Sequence, residues 1–292
     1  MEKFVAFLRL TRPANIVTAI ADILAGIAIA GYFTSDAEFQ PIAYLILATV
    51  GLYGGGVVLN DVFDADLDRI ERPERPIPRG VVSVVEAGTF GVFLLSSGIA
   101  AAFLVSSSSG TLAFIIAVAA VVYDKWGKHH SFLGPVNMGL CRGLNLLLGI
   151  SILPDQIGHF WIVGLVPLIY IAAVTMVSRG EVHGGSRRTL LAAGILYGTA
   201  ILAILFAGIR NKEVLATGIF TVAWVYMIFT PLIRASRNPQ GPLIGKAVRA
   251  GVIALILMNA AWAAAFGFPV VALVIASLLP ISILLARMFA VT

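Results

Sequence analysis

Asn60, Asp61, Asp64 and Asp68 fall within nine consecutive residues, NDVFDADLD, of a chain that is otherwise sparingly charged. On an α-helix, at about 100° per residue, they lie at about 0°, 100°, 40° and 80°, so one amide and three carboxylates share a face, while Asp66, at about 240°, points away. Three carboxylates this close resist joint ionisation unless a cation neutralises them. An all-oxygen set selects a hard ion such as Mg2+, which takes one or two carboxylates and completes its shell with water and substrate phosphate. RPERPIPRG follows, and the forked guanidinium groups of Arg72 and Arg75 suit diphosphate oxygens. Leu59 to Gly80 thus holds six of the fifteen carboxylates and four of the twenty basic residues. A charge run is ordinarily a solvated loop; the spacing here argues for a site.

The elements that carry these residues must be membrane helices. The chain is 59% hydrophobic and 12% charged, against about 25% charged in soluble domains. A spanning helix needs about 20 apolar residues, and candidate runs cover 13–33, 41–60, 84–104, 110–124, 132–153, 160–178, 189–209, 213–233, 246–266 and 269–289. They leave no room for a soluble domain, so residues 1–292 form one membrane domain. The count is nine or ten, because GFP at 267–269 reads as either a turn or a kink. The first run, preceded by Lys3, Arg9 and Arg12, imitates a signal peptide but is too long for one and reads as the first membrane helix.

The single cysteine, Cys141, excludes an internal disulfide and a cysteine-rich metal site. The net charge of +5 reports orientation before partners, and no nucleic acid is expected. Sixteen Lys and Arg residues fall on the side of the N-terminus and the 61–83 and 179–188 loops, against Arg210 and Lys212 on the other. The positive-inside rule places the first set in the cytoplasm.

At these residues the chain resembles the UbiA-type superfamily of intramembrane prenyltransferases, whose first signature reads NDxxDxxxD with a following RxxRPxxxG. RLTRPANIVTA at 9–19 and YDKWGK at 123–128 are similar to the family's opening and to its basic loop after the fourth helix. Within the superfamily the chain looks closest to the EboC-like branch. The resemblance implies an all-α bundle of nine helices, or ten if the final span is separate, around a central cavity that holds an isoprenyl diphosphate through Mg2+. Membrane lipids surround it, and the acceptor of the prenyl group is not identified. Asn60, Asp61, Asp64 and Asp68 would form the first metal motif, with Asp64 and Asp68 at the chemistry. Arg12, Arg72, Arg75, Tyr123 and Lys128 would contact the diphosphate or shape its pocket.

The family's second signature, DxxxD after the sixth helix, is altered to VSRGEVHGGSRRTL. Glu181 is its only carboxylate, expected as a surviving metal ligand or base, with His183 as an acid/base candidate. Arg179, with Arg187 and Arg188, is expected to neutralise diphosphate where a second ion would sit. Arg142, charged within a membrane run, is expected at the diphosphate as well, since such charges commonly face a cavity. Thinning of the second motif also admits a non-catalytic isoprenoid-binding or export protein on the same fold. The DGxxAR opening of the CDP-alcohol phosphatidyltransferases is absent.

Overall fold

The computed structural model describes residues 2–34, 36–128, 130–181 and 184–289, and every one of the ten apolar runs is helical. α1 (Glu2–Thr11) meets α2 (Pro13–Ile29) at a bend of 43°. Pro13 supplies no N–H and disfavours a right-handed residue before it, and Arg12 accordingly sits at φ 49°. α3 (Phe39–Phe63) leads into the short α4 (Ala65–Glu71). α5 (Val84–Phe103) opens on a reciprocal cap between Ser83 and Glu86, and α6 (Ser107–Val122) on Ser106.

A π turn over Tyr123–Gly127 extends α6 and is followed by α7 (Leu133–Ile150). α8 (Pro154–Phe160) and α9 (Leu165–Ser178) form one run through a 3-10 turn, and α10 (Arg187–Arg210) and α11 (Val214–Arg237) come next. α12 (Gly241–Ile253) and α13 (Leu255–Ala265) also act as one run before α14 (Pro269–Met288). Gly267, at φ 85°, turns the chain between α13 and α14, so the final two helices are separate and GFP is a turn. Left-handed geometry is open to glycine without a Cβ clash.

Eight helices among the described residues are long and apolar enough to cross a membrane, and a ninth results if the bent α1–α2 pair is one span. α7 is left out of that set because Asn137, Arg142 and Asn145 interrupt it. Every residue of α13 is buried, whereas α14 turns Val270, Leu273, Val274, Ile281 and Leu284 outward. α10 and α11 likewise expose Leu202, Phe206, Leu215, Ile219 and Val222. An apolar exterior around helices that satisfy their own backbone is what lipid requires.

α2 and α7 touch at the level of the main chain. A Cβ on Gly26 would lie 2.3 Å from the Leu146 carbonyl oxygen, and one on Gly149 would lie 2.4 Å from that of Ile23. Small residues permit this approach, which places the polar side chains of both helices in reach of one another.

Candidate functional site at the carboxylate mouth

The aspartate motif spans the junction of α3 and α4. Asp64 itself has φ −91° and ψ 2° and ends α3, yet its N–H still bonds the Asn60 carbonyl, and the Asp68 and Arg72 N–H groups bond those of Asp64 and Asp68. The four-residue ladder therefore survives the break, and the shared face with it. Asp61 and Asp68 are buried, while the Asp66 side chain is 92% exposed and pairs with Arg69.

Each carboxylate on the shared face has a basic partner. Asp61 Oδ1 accepts from Arg12 Nη2 at 2.9 Å and from Arg75 Nη1 at 3.1 Å. Asp68 Oδ2 accepts from the same Arg75 nitrogen at 2.6 Å. Asp64 pairs with Lys128. Asn60 Nδ2 donates across to Asp124 Oδ1 at 2.9 Å. Arg12, Arg75 and Lys128 are thus brought to the mouth together, from α1–α2, the loop after α4 and the segment after the π turn.

Behind the mouth lies a cavity of about 210 Å³ between α3, α6 and α7. Arg12, Asn60, Tyr123 and Asp124 line its outer part, and Leu52, Val57, Ile116, Ala120 and Met138 its middle. Its inner end reaches Thr49, eleven residues before Asn60 on α3, a depth of about 16 Å at the α-helical rise.

Arg142, expected at the diphosphate, stands at the inner end of this cavity. Its Nη1 donates to Asp22 Oδ2 at 2.7 Å and its Nη2 to Thr18 Oγ1 at 2.6 Å. Asp22 also accepts from Asn145 Nδ2 at 3.0 Å and Asn259 Nδ2 at 2.6 Å, and Thr49 Oγ1 donates to Asn145 Oδ1 at 2.8 Å. The guanidinium lies 4.9 Å from the centre of the Tyr53 ring. One buried charge pair thereby joins α2, α3, α7 and α13. Isolated charge in an apolar medium is prohibitively costly, and the partners here come from 120 and 237 residues away in sequence.

The altered second motif is only partly gathered. Glu181 is half-buried with Oε1 unpartnered; its burial raises the carboxyl above the ordinary carboxylate range, against the opposing pull of Arg72 and Arg249. Arg72 and Arg249 are thus the basic groups whose charge acts on Glu181. Arg179 Nη2 donates to the His130 carbonyl at 2.7 Å, and Arg187 and Arg188 open α10 as exposed residues. His183 lies outside the described residues.

A raised carboxyl pKa favours the fold while the group is protonated. Its contribution is full below the unfolded value, near 4.3 for Glu, and falls as pH rises through the folded value. In metal-free buffer the melting temperature of wild type relative to Glu181→Gln is expected to fall as pH is raised from about 4 and then level off. Scanning fluorimetry across pH measures it, and a difference that rises with pH would contradict the burial of this carboxyl.

Sequence reasoning missed Asp22, Asn259 and Asp124. All three are polar residues in or at the end of apolar runs, a signal in its own right. Among the described residues no three His, Cys, Asp or Glu side chains are already gathered so as to hold a metal ion. The donor chemistry nonetheless fits a hard divalent cation: Asn60, Asp61, Asp64 and Asp68 offer oxygen alone, and Asp124 Oδ2 is buried without a hydrogen-bond partner.

Residues 19–182 match the model of the UbiA prenyltransferase family. A digeranylgeranylglyceryl phosphate synthase of Methanoculleus marisnigri is 33% identical over 205 residues, covering 65% of this chain and 69% of that protein. A solved structure concerned with digeranylgeranylglyceryl phosphate synthase superposes with TM-score 0.67 at 21% identity, over 91% of this chain and 99% of the other. A UbiA homolog from Archaeoglobus fulgidus bound to GPP and Mg2+ superposes with TM-score 0.65 at 17% identity, over 88% and 99%. The relatives matched carry the name of that synthase rather than of an EboC-like protein, which corrects the branch expected from the motifs. The chain belongs to the UbiA prenyltransferase family and is a multi-pass integral membrane prenyltransferase.

Proposed function

We propose that the protein transfers an isoprenyl group from an isoprenyl diphosphate to a lipid-like acceptor, with an isoprenyl-glycerol phosphate as the first candidate and Mg2+ as the required ion. The observation that carries this reading is the alternation of Asp61, Asp64 and Asp68 with Arg12, Arg75 and Lys128 at the open end of an apolar cavity. The name of the matched relatives supports the lipid acceptor over an aromatic one.

Asn60, Asp61, Asp64 and Asp68 would hold the ion, which when bound supplies positive charge to the leaving diphosphate. Arg12, Arg75 and Lys128 now neutralise carboxylates; with diphosphate present they are positioned to share its oxygens, and charge-assisted contacts of this kind are the strong ones. Leu52, Val57, Ile116 and Met138 keep water from the allylic cation left when the C–O bond breaks. Tyr123 walls the outer cavity beside the site of bond breaking. Glu181 is the carboxylate left in the altered second motif, and the charge of Arg72, from the first, acts on it.

Labelled geranylgeranyl diphosphate, offered with an isoprenyl-glycerol phosphate and separately with a panel of aromatic acceptors, tests the reading. Mg2+-dependent labelling of the glycerol lipid is expected. Labelling confined to aromatic acceptors, or undiminished by chelation, would overturn it.

The mouth is proposed to face the cytoplasm, from the sixteen-to-two distribution of basic residues. Single cysteines introduced in 61–83 or 179–188, in a Cys141→Ser background, are expected to resist an impermeant maleimide in right-side-out vesicles. They should react once the membrane is opened. Labelling of either loop from outside would reverse the orientation.

A further inference from the structure

We propose that Asp124 is a further ligand of the divalent cation, acting with Asn60 and Asp64; the proposal rests on the reading of the mouth as a Mg2+–diphosphate site. Asp124 is 4% exposed and lines the cavity beside Asn60. Oδ1 accepts from Asn60 Nδ2 at 2.9 Å. Oδ2 is buried and has no hydrogen-bond partner.

A buried carboxylate oxygen without a partner is expensive, and no neighbouring cation bonds it. Arg12, Lys128 and Asp64 are the charged groups that act on Asp124, but Arg12 is engaged on Asp61 and Lys128 on Asp64. The residue is held here by the π turn Tyr123–Gly127, in which the Lys128 N–H bonds the Tyr123 carbonyl five residues back. Such turns recur at functional sites.

The chemistry of the vacant oxygen is specific. Carboxylate and amide oxygens are hard ligands, and Mg2+ characteristically takes one or two carboxylates with the rest of its shell from water and phosphate. Asp124 would add a carboxylate from the end of α6 to those that α3 and α4 bring to the mouth. The 179–188 segment brings Glu181 as its only carboxylate, and the charges of Arg72 and Arg249 act on it.

The test uses full-length protein in detergent, stripped of metal and titrated with Mn2+. Free Mn2+ is followed by electron paramagnetic resonance, with and without geranylgeranyl thiodiphosphate. Asp124→Asn keeps the shape of the side chain and is expected to weaken Mn2+ binding at least about tenfold, while Asp66→Asn leaves it unchanged. Without metal, Asp124→Asn should melt at or above the wild-type temperature, since it removes a buried charge, and should lose most of the Mn2+-induced rise. Asp124→Ser removes the carboxylate independently and should weaken Mn2+ binding alike. Wild-type Mn2+ affinity in either folded variant, with the full Mn2+-induced rise, would make Asp124 an acceptor for Asn60 only and overturn the assignment while leaving the prenyl-transfer reading intact. Absence of Mn2+ binding by wild type, even with the thiodiphosphate, would overturn both.

Discussion

Asp64→Asn and Asp68→Asn are each expected to weaken Mg2+-dependent binding of an isoprenyl diphosphate by roughly ten- to a hundredfold, whereas Asp66→Asn should stay within about twofold of wild type. The scale is that of a lost charged contact, about 1.5–3 kcal/mol, converted at about 1.4 kcal/mol per decade. The asymmetry comes from the structure: Asp64 and Asp68 face the mouth and hold Lys128 and Arg75 there, while the Asp66 side chain is 92% exposed and pairs with its neighbour Arg69. For Asp68→Asn the loss has two sources, since the variant also loosens Arg75, which spans Asp61 and Asp68. Isothermal titration in nanodiscs with geranylgeranyl thiodiphosphate reads the effect. Equal losses in all three variants would mean that the total charge of the segment, not its geometry, binds the diphosphate.

The second large effect concerns the buried pair of Arg142 and Asp22. Removing the acid alone, as in Asp22→Leu, leaves a guanidinium enclosed without its counter-charge and is expected to cost about 3–5 kcal/mol. Replacing both, as Asp22→Leu with Arg142→Met, should recover much of that loss, because apolar residues often substitute for a buried pair without penalty. Recovery should fall short of wild type, because Asn145 and Asn259 also donate to Asp22 and would be left unsatisfied, at about 1–3 kcal/mol each. Unfolding midpoints in mixed micelles report both variants. A single variant as stable as wild type would show that the pair does not tie the helices together.

These two groups of residues also mark how far the fold and site were legible in the sequence. The shared face of Asn60, Asp61, Asp64 and Asp68 could be read directly, because a helical ladder is a local rule and continues through Asp64 even where the helix axis breaks. The apolar runs were readable for the same reason: span length is set by the bilayer. Partnerships across the bundle were not. Arg142 announces a buried charge, but its acid sits 120 positions earlier in another apolar run, and no periodicity links the two. The hydrogen bond from Arg179 to a backbone carbonyl of another loop was equally out of reach of a local rule. Asp124 was hidden by its neighbours, Lys125 and Lys128, which give YDKWGK the look of a solvated basic loop.

Heredity adds a different meaning to the π turn at Tyr123–Gly127. A turn closed over five residues holds one residue more than the α ladder needs, so loss of one codon inside it would let the ladder close at four. Lys128 and the whole of α7 would keep their places, and only the wall carrying Asp124 would change. A change in codon number alone could thus move Asp124 into or out of the cavity wall. Descendants of one ancestral bundle could diverge in ion affinity without passing through a misfolded ancestor.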